Sequence, residues 1–336
     1  MTPIVDQDPA IRRDPARGSR QDKTIGSRLA IAVLIPCRDE EVAIEQVVRS
    51  FAEALPAATI YVYDNASTDD TAAIAGEAGA IVRIEAMPGK GNVVRRMFAD
   101  IDADVYLLVD GDDTYDASAA PDLVSKLLEG PYDMVTASRV TDVEAAYRTG
   151  HRFGNRMLTT LASRMFGQPV ADMLSGYRAF SRRFVKSFPA LSQGFETETE
   201  LTIHALQLRM PVSEIEASYK ERPSGSESKL STYGDGFRIL WMIILLFKEL
   251  RPLAFFGLWF ALLASVSLIM AWPVFVEYFQ TGLVPRLPTA VAATGAMLLA
   301  FLSMTCGLIL DSVARGRDET KRMAYLSVSA PPATDT

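Results

Sequence analysis

Asp110, Asp112, Asp113 and Asp116 crowd the end of the stretch Val105–Asp116, V-Y-L-L-V-D-G-D-D-T-Y-D. The residues before them, Val105 to Val109, are apolar and strand-forming, so a buried strand should deliver the acids at its end. Carboxylates this close raise one another's pKa unless a cation or a set of donors neutralises them, and oxygen-only ligands suit hard cations such as Mg²⁺ or Mn²⁺. Asp110 and Asp112 at the carboxyl edge of a parallel sheet would therefore make a metal and diphosphate site. The plainer alternative is an acidic surface turn, since Asp and Gly both favour turns.

Cations that could face such a site lie elsewhere. Arg148, His151, Arg152, Arg156 and Arg164 follow a helical stretch with Phe153, Met157, Leu158, Leu161 and Met165 interleaved. A helix of this kind near a membrane can hold an anionic lipid head group, because Arg forks pair with phosphate oxygens; a solvated face is the alternative. Glu196, Glu198 and Glu200 share a predicted helix over Gly194–Met210 but point to different faces, so at most one or two can enter one site. Asp172 and Glu196 are secondary candidates for catalytic roles, with structural hydrogen bonding as the simpler reading. Gly89-Lys90-Gly91 lacks the spacing of a phosphate-cradling loop and no G-x-G-x-x-G follows the first strand, which excludes the usual NTPase and dinucleotide signatures; a flexible turn is its default reading.

Composition excludes more. With His151 and His204 the only histidines, no histidine-rich metal site is available, and Cys37 and Cys306 have neither metal nor disulfide spacing and read as buried free thiols. A formal net charge of −7 argues against nucleic acid as a partner.

The elements that would position these groups follow from the apolar runs. The 336 residues allow about two structural units. Leu29–Ile35 fits a strand buried on both faces, followed by an amphipathic helix over Glu40–Leu55. Thr59–Tyr63 is a second strand ending at Asp64, Thr71–Ala78 a helix, Ala80–Ile84 a third strand and Val93–Ile101 a helix. After the acidic strand come a helix over Asp122–Leu128, a strand over Met134–Ala137 ending at Ser138-Arg139, and a last strand over Val212–Tyr219. This alternation predicts an α/β, doubly wound, mostly parallel sheet whose loops gather Pro36 to Glu40, Asp64, Lys90, Asp110 to Asp113 and Arg139 at one edge. Carboxylates with a metal, joined by cations, suit a nucleoside diphosphate.

Leu253–Phe275 and Leu287–Leu310 contain no charged residue and are long enough to cross a hydrocarbon layer, although buried core helices are the alternative. Lys248 and Arg251 precede them and Arg315, Arg317, Lys321 and Arg322 follow, while the connecting loop carries Arg286. The positive-inside rule then puts the catalytic domain and both termini in the cytoplasm, in a multi-pass protein of the cell membrane. Phe237–Phe247, apolar but too short to span, reads as an interfacial helix. The expected division is a polar, disordered arm at 1–28 without a cleavable signal, the α/β domain at 29–232, the interfacial helix at 233–251, two transmembrane helices at 252–312 and a cytoplasmic tail at 313–336.

Several segments together resemble family 2 glycosyltransferases of the GT-A fold: I-P-C-R-D-E-E at 35–41, D-N-A-S-T-D-D-T at 64–71, P-G-K-G-N at 88–92 and D-G-D-D at 110–113. S-R-V at 138–140, R-F-G-N at 152–155, D-M-L-S-G-Y-R at 172–178 and G-S-E-S-K-L at 225–230 resemble the polyprenyl-phosphate branch, which contains dolichyl-phosphate mannose synthases and bacterial polyprenyl-phosphate glucosyltransferases. The likeness extends over about residues 29 to 315. It implies inverting transfer of a hexose from a nucleotide-diphosphate sugar to polyprenyl (dolichyl or undecaprenyl) phosphate with Mg²⁺ or Mn²⁺, and self-association through the membrane helices.

The resemblance also implies residue roles. Pro36, Arg38, Glu40 and Asp64 would line the nucleotide pocket with Lys90 nearby, and Asp110 and Asp112 would be the D-x-D metal pair. Arg139, Arg152, Arg222, Ser228 and Lys229 would hold the lipid phosphate, so that Asp110, Asp112, Arg139 and Arg222 carry the chemistry. Two positions depart from the family pattern: Asp39 stands where Asn is usual, and Asp113 adds an acid that leaves open which aspartate is the second ligand. A phosphate monoester acceptor is largely dianionic at neutral pH and needs no strong general base. Other readings are a glycosyltransferase acting on another membrane lipid or a growing polysaccharide, whose Q-x-x-R-W motif Gln207-Leu208-Arg209-Met210 does not supply, a membrane-anchored nucleotidyltransferase, and a non-catalytic scaffold.

Overall fold

The computed structural model describes residues 29–140, 160, 172–190, 197–220 and 244–330. Within them the apolar runs form β1 (Ile31–Cys37), β2 (Thr59–Asp64), β3 (Ile81–Ile84), β4 (Val105–Leu108), β5 (Met134–Val140), β6 (Arg178–Ser181) and β7 (Val212–Ser218). They make one seven-stranded sheet in the order β3-β2-β1-β4-β6-β5-β7. β1 is parallel to β2 and β4, β2 to β3 and β5 to β7, whereas β6 runs antiparallel between β4 and β5.

Helices α1 (Ile44–Ala54), α2 (Thr71–Glu77), α3 (Lys90–Asp100), α4 (Ala120–Glu129), α5 (Arg182–Ser187) and α6 (Thr197–Leu208) cover both faces of the sheet. One core layer packs Val33, Ile35, Val62, Leu107 and Val135 under α1 and α4 through Val48, Phe51, Leu123 and Leu127. The other packs Leu34, Tyr106 and Phe180 against Met97, Phe98, Phe184 and Leu201. Burial on both faces is why β1 and β4 read as continuous apolar runs instead of alternating ones. Three expectations change in detail: β1 continues through Pro36 to Cys37, α3 begins at Lys90 instead of Val93, and β6 with α5 adds elements that the pattern did not mark.

Two long helices complete the chain, α7 (Pro252–Thr281, 30 residues) and α8 (Leu287–Leu326, 40 residues), and both are long and apolar enough to cross a membrane. Ser267 Oγ donates to Ala293 O at 2.7 Å and Ser303 Oγ to Phe256 O at 3.0 Å, so hydroxyls cross the pair. At Gly307 an added Cβ would stand 2.9 Å from Phe256 Cβ, and the absence of a side chain there permits the close approach. Leu262, Ile269, Trp272, Phe279, Phe301 and Leu308 are exposed on the outer surface of the pair. Cys37 is buried as expected, but Cys306 is exposed: it sits on this outer apolar surface, where a small soft side chain needs no covering protein. Of the expected interfacial segment, the described part, residues 244–250, is helical.

α8 continues without a break past its charge-free part and meets the α/β domain. Lys321 Nζ donates to Gln207 Oε1 at 3.0 Å, and Tyr325 OH donates to Asp133 Oδ2 at 2.8 Å. Under this contact His204 packs edge-on to Phe184 and Phe188, with Nε2 3.1 Å from Ser187 Oγ and Nδ1 buried without a partner among the described residues. Burial, reinforced by the Lys321 charge, lowers its pKa to about 3. The unfolded chain binds a proton here below about pH 6.5 and the folded chain does not, so stability is full above that pH and declines, by roughly 1 kcal/mol per unit, as pH falls toward 3. Thermal melting between pH 7 and 5 should fall more steeply for the native chain than for His204→Gln; equal slopes would count against this origin.

Candidate active site

The loops after β1 and β2 are laced together. Asp39 N donates to Ser67 Oγ (2.9 Å), Glu40 N to Thr71 Oγ1 (2.8 Å) and Thr68 N to Asp39 Oδ1 (2.7 Å). Asp39 is left-handed at φ 49°, a conformation that Asp and Asn tolerate best among residues with a side chain. Pro36 lies in β1 beside this lacing, and the half-exposed Arg38 pairs with Asp39 at 3.6 Å. Asp64, at the end of β2, is buried and accepts from Ser67 N at 3.1 Å and from the Ser67 hydroxyl.

Asn65, next to it, reaches across to the following loop. Its Nδ2 donates to Glu85 O (2.9 Å) and Met87 O (2.8 Å), and its Oδ1 accepts from Gly89 N (2.7 Å). Gly89 takes φ 120°, which only glycine adopts without strain, and so Lys90 enters as the first residue of α3. Gly89-Lys90-Gly91 is thus a fixed helix start and not a flexible turn.

Lys90 Nζ lies between Asp110 and Glu198, hydrogen-bonded to both carboxylates. Burial alone would push the ammonium's pKa down, but Asp110 and Glu198 outweigh it and hold it well above the ordinary lysine value. Glu198 is buried, and its Oε2 has no partner among the described residues. Asp112 is buried as well and accepts from Thr114 Oγ1 at 2.6 Å.

The buried Cys37 thiol marks where these acids converge. Its pKa is pushed far up by burial first and then by Glu40, Asp64, Asp110 and Asp112. Asp113 feels other charges. Burial raises its carboxyl, Lys220 opposes and Asp116 adds to the rise, and its backbone is left-handed at φ 54°. Two glycines admit the close packing: a Cβ at Gly111 would overlap Cys37 Sγ, and one at Gly176 would overlap Asp110 Oδ2 and lie 2.8 Å from Asp110 Cγ.

A cationic half adjoins this cluster. The Arg139 fork is bidentate to Asp172, Nε to Oδ2 at 2.7 Å and Nη2 to Oδ1 at 2.9 Å, and its guanidinium stands 5.5 Å from the centre of the Tyr219 ring. Burial would raise the Asp172 carboxyl, but Arg139 outweighs it and holds it below the usual carboxylate range. Tyr115 joins the halves. Its hydroxyl accepts from Gly176 N at 2.8 Å, and its phenol, raised by burial, feels both Arg139 and Asp110.

Behind both halves lies Arg178, wholly buried, with Nε on Ser175 O (2.8 Å), Nη2 on Met173 O (2.7 Å) and Nη1 on Thr202 Oγ1 (2.7 Å). Thr202 Oγ1 in turn donates to Glu198 O at 3.1 Å.

The structure therefore brings together Pro36, Arg38, Glu40, Asp64, Lys90, Asp110 and Asp112, with Arg139 adjoining and the half-buried Asp113 at the margin beside Asp112. Arg152, Arg222, Ser228, Lys229 and Glu196 lie outside the described residues, as does the Arg-rich helix. Sequence reasoning did not single out Asn65, Tyr115 or Arg178, and it left Glu198 as one of three alternate acids. Among the described residues no three His, Cys, Asp or Glu side chains could hold a metal by themselves. Asp110 and Asp112 offer two carboxylates, which fits Mg²⁺ or Mn²⁺ taking its other ligands from phosphate and water, and the side-chain-free Gly176 leaves Asp110 its place.

Comparison with known proteins shows what the chain is similar to. The sequence model described as Glycosyl transferase family 2 matches residues 32–188. Glycosyltransferase AglJ of Haloferax volcanii is 31% identical over 304 residues, covering 88% of this chain and 98% of that protein. A dolichyl-phosphate hexose transferase of the same organism is 28% identical over 209 residues, covering 62% of this chain and 90% of that protein. Glucosyl-3-phosphoglycerate synthase from Mycobacterium tuberculosis, solved in complex with Mn²⁺, uridine diphosphate and glucosyl-3-phosphoglycerate, superposes with a TM-score of 0.55 at 24% identity, over 66% of this chain and 79% of that one, a likeness of fold.

Proposed function

Because the chain belongs to glycosyltransferase family 2 and has the GT-A fold, we propose that it moves a hexose from a nucleoside-diphosphate sugar to a polyprenyl phosphate at the cytoplasmic face of a membrane. The observation that carries this reading is the pairing, in one chain, of the Asp110–Lys90–Glu198 cluster with two helices long enough to cross a bilayer. The dolichyl-phosphate hexose transferase among its relatives supports the acceptor class, and the Mn²⁺ and uridine diphosphate bound by the fold relative support the donor class.

In this proposal Asp110 and Asp112 hold Mg²⁺ or Mn²⁺, which supplies Lewis-acid neutralisation of the donor diphosphate. Pro36, Arg38, Glu40 and Asp64 line the nucleotide pocket, with Asp113 at its margin. Lys90 places a fixed positive charge beside Asp110, where the departing diphosphate gathers negative charge. Arg139 aligns the acceptor phosphate, and Arg152, Arg222, Ser228 and Lys229 join it. An acceptor phosphate oxygen forms the new bond to the anomeric carbon as the bond to the diphosphate oxygen breaks on the opposite side, which inverts the configuration. No proton has to be removed from the dianionic acceptor, so Glu198 is a partner of Lys90 and not a base.

Glu198→Gln keeps an acceptor for the ammonium and should raise the KM for the donor while kcat stays within about tenfold and its pH profile is unchanged. A kcat collapse with a shifted profile would instead assign Glu198 the proton transfer. The proposal as a whole is tested by incubating membranes containing the protein with a panel of nucleotide sugars, polyprenyl phosphate and Mg²⁺ or Mn²⁺. A glycolipid with release of nucleoside diphosphate is expected; pyrophosphate release would indicate a nucleotidyltransferase, and no glycolipid from any donor would refute the reading.

A further inference from the structure

α8 is longer than a bilayer requires. Its charge-free part, residues 287–310, rises about 36 Å, already enough for a hydrocarbon core of about 30 Å. The remainder, residues 311–326, extends about another 24 Å as the same unbroken helix.

This extension ends on a built contact. Asp133, fully buried, accepts from Tyr325 OH at 2.8 Å, from Ser181 Oγ at 2.7 Å and from the Arg183 fork. The Arg183 guanidinium also stands 5.0 Å from the centre of the Tyr325 ring. One turn earlier, Lys321 donates to Gln207.

All of these partners lie at the amino edge of the sheet, away from the candidate site. Asp133 immediately precedes β5, and its N–H donates to Pro211 O, just ahead of β7, at 2.8 Å. Ser181 closes the antiparallel β6, and Gln207 is in the last turn of α6. Asp64, Asp110 and Arg139 instead stand at the carboxyl ends of β2, β4 and β5, and Glu198 is in the first turn of α6.

The direction of α8 follows. From Lys321 to Tyr325 it passes from the end of α6 to the amino edge, so it descends in the direction in which α6 runs. Traced backward, it climbs toward the carboxyl edge and then enters the apolar part. From Gln207 up to Glu198 is nine residues of helix, about 14 Å; the same climb along α8 from Lys321 reaches Ser312, next to the end of the charge-free segment.

We infer that the end of α8 is a strut which pins the amino edge of the sheet and thereby holds the carboxyl edge, with Asp110, Lys90 and Glu198, facing the bilayer at head-group depth. The inference rests on the membrane reading of α7 and α8 proposed above, and it explains how a lipid phosphate can react without leaving the head-group layer. Tyr325 and Lys321 are positioning residues in this arrangement, since they act through the placement of the whole domain.

Energy transfer to head-group-labelled lipids tests it with the full chain in phospholipid vesicles. Cys37 is buried and Cys306 is replaced by alanine, so a single label can be placed at Val140→Cys, exposed at the carboxyl end of β5, or at Glu129→Cys, exposed just before β5. β5 separates these levels by about 20 Å. Transfer from position 140 should clearly exceed that from position 129. The double variant Tyr325→Ala, Lys321→Ala should erase the difference. Seven extra residues between Gly316 and Arg317 preserve the helix face and should lower transfer from position 140 by retreating about 10 Å.

Equal transfer from the two positions, a difference that survives loss of the anchor, or an insertion without effect would each overturn the strut. In the activity arm, the anchor variant should lose about tenfold or more with long-chain polyprenyl phosphate in vesicles yet keep its rate with a short, water-soluble prenyl phosphate; equal loss on both would also overturn it. A native chain that turns over neither acceptor refutes the proposed function, while the energy-transfer result decides the strut independently.

Discussion

Asp112→Ala should lower sugar transfer by about three orders of magnitude or more, because in the proposed mechanism it removes one of the two carboxylates that would hold the divalent cation and, through it, the diphosphate. The structure separates this residue from its neighbour. Asp112 is buried, and its charge acts on the Cys37 thiol together with those of Asp110, Asp64 and Glu40, whereas the charges acting on Asp113 are Lys220 and Asp116. Asp113→Asn, which tolerates the left-handed backbone, should therefore keep activity within a few-fold. Asp112→Asn retains an acceptor for Thr114 and separates charge from local folding, since the hydrogen bond itself contributes only about 1 kcal/mol. The checks are initial rates and calorimetric binding of nucleoside diphosphate with Mn²⁺, each with and without chelator. Near-native turnover by the alanine variant would remove Asp112 from the metal site, and loss in Asp113→Asn alone would exchange the two assignments.

Gly176→Ala should be nearly as damaging although it removes no functional group. The new methyl would overlap Asp110 Oδ2 and come within 2.8 Å of Cγ, so the carboxylate must move. A displacement of about 1 Å at a reacting centre costs about a hundredfold in rate. The Gly176 N–H can still donate to Tyr115 OH, so the fold should survive with a modest fall in melting temperature. The expected signature is a lower kcat and weaker Mn²⁺ affinity in a protein whose circular dichroism is unchanged. Activity within a few-fold of native would show that Asp110 has room to spare and plays a smaller part.

The legible parts of this molecule were those written in periodicity and local chemistry. β1 and β4 are apolar throughout because both faces are covered, and the acids at 110 and 112 follow such a strand directly, so the sheet edge and its charge were readable together. β6 was not readable: R-A-F-S is four residues long, begins with an arginine and is antiparallel, so neither run length nor alternation marks it. Arg178 is buried there because backbone carbonyls satisfy its fork, a circumstance that only tertiary structure creates. The choice among Glu196, Glu198 and Glu200 depended on the rotation of α6 relative to Lys90, which sequence spacing does not define. Asp112 and Asp113 likewise differ through one left-handed residue, not through composition. Cys306 misled because apolar neighbours along the chain do not by themselves bury a side chain, and it lies on the outer surface of the α7–α8 pair.

Arg178 has a broader consequence. Its one guanidinium props the 172–176 turn, which carries the partner of Arg139, and through Thr202 it also props the helix end that carries the partner of Lys90. Under the roles proposed above for Lys90 and Arg139, the recognition of donor and acceptor would hang from a single keystone. On that proposal, a lineage that drifts toward a new sugar donor by reshaping the end of α6 would shift Arg139 as well, and selection on either substrate would be felt by both. Donor and acceptor preferences in such a scaffold should change hands as linked traits.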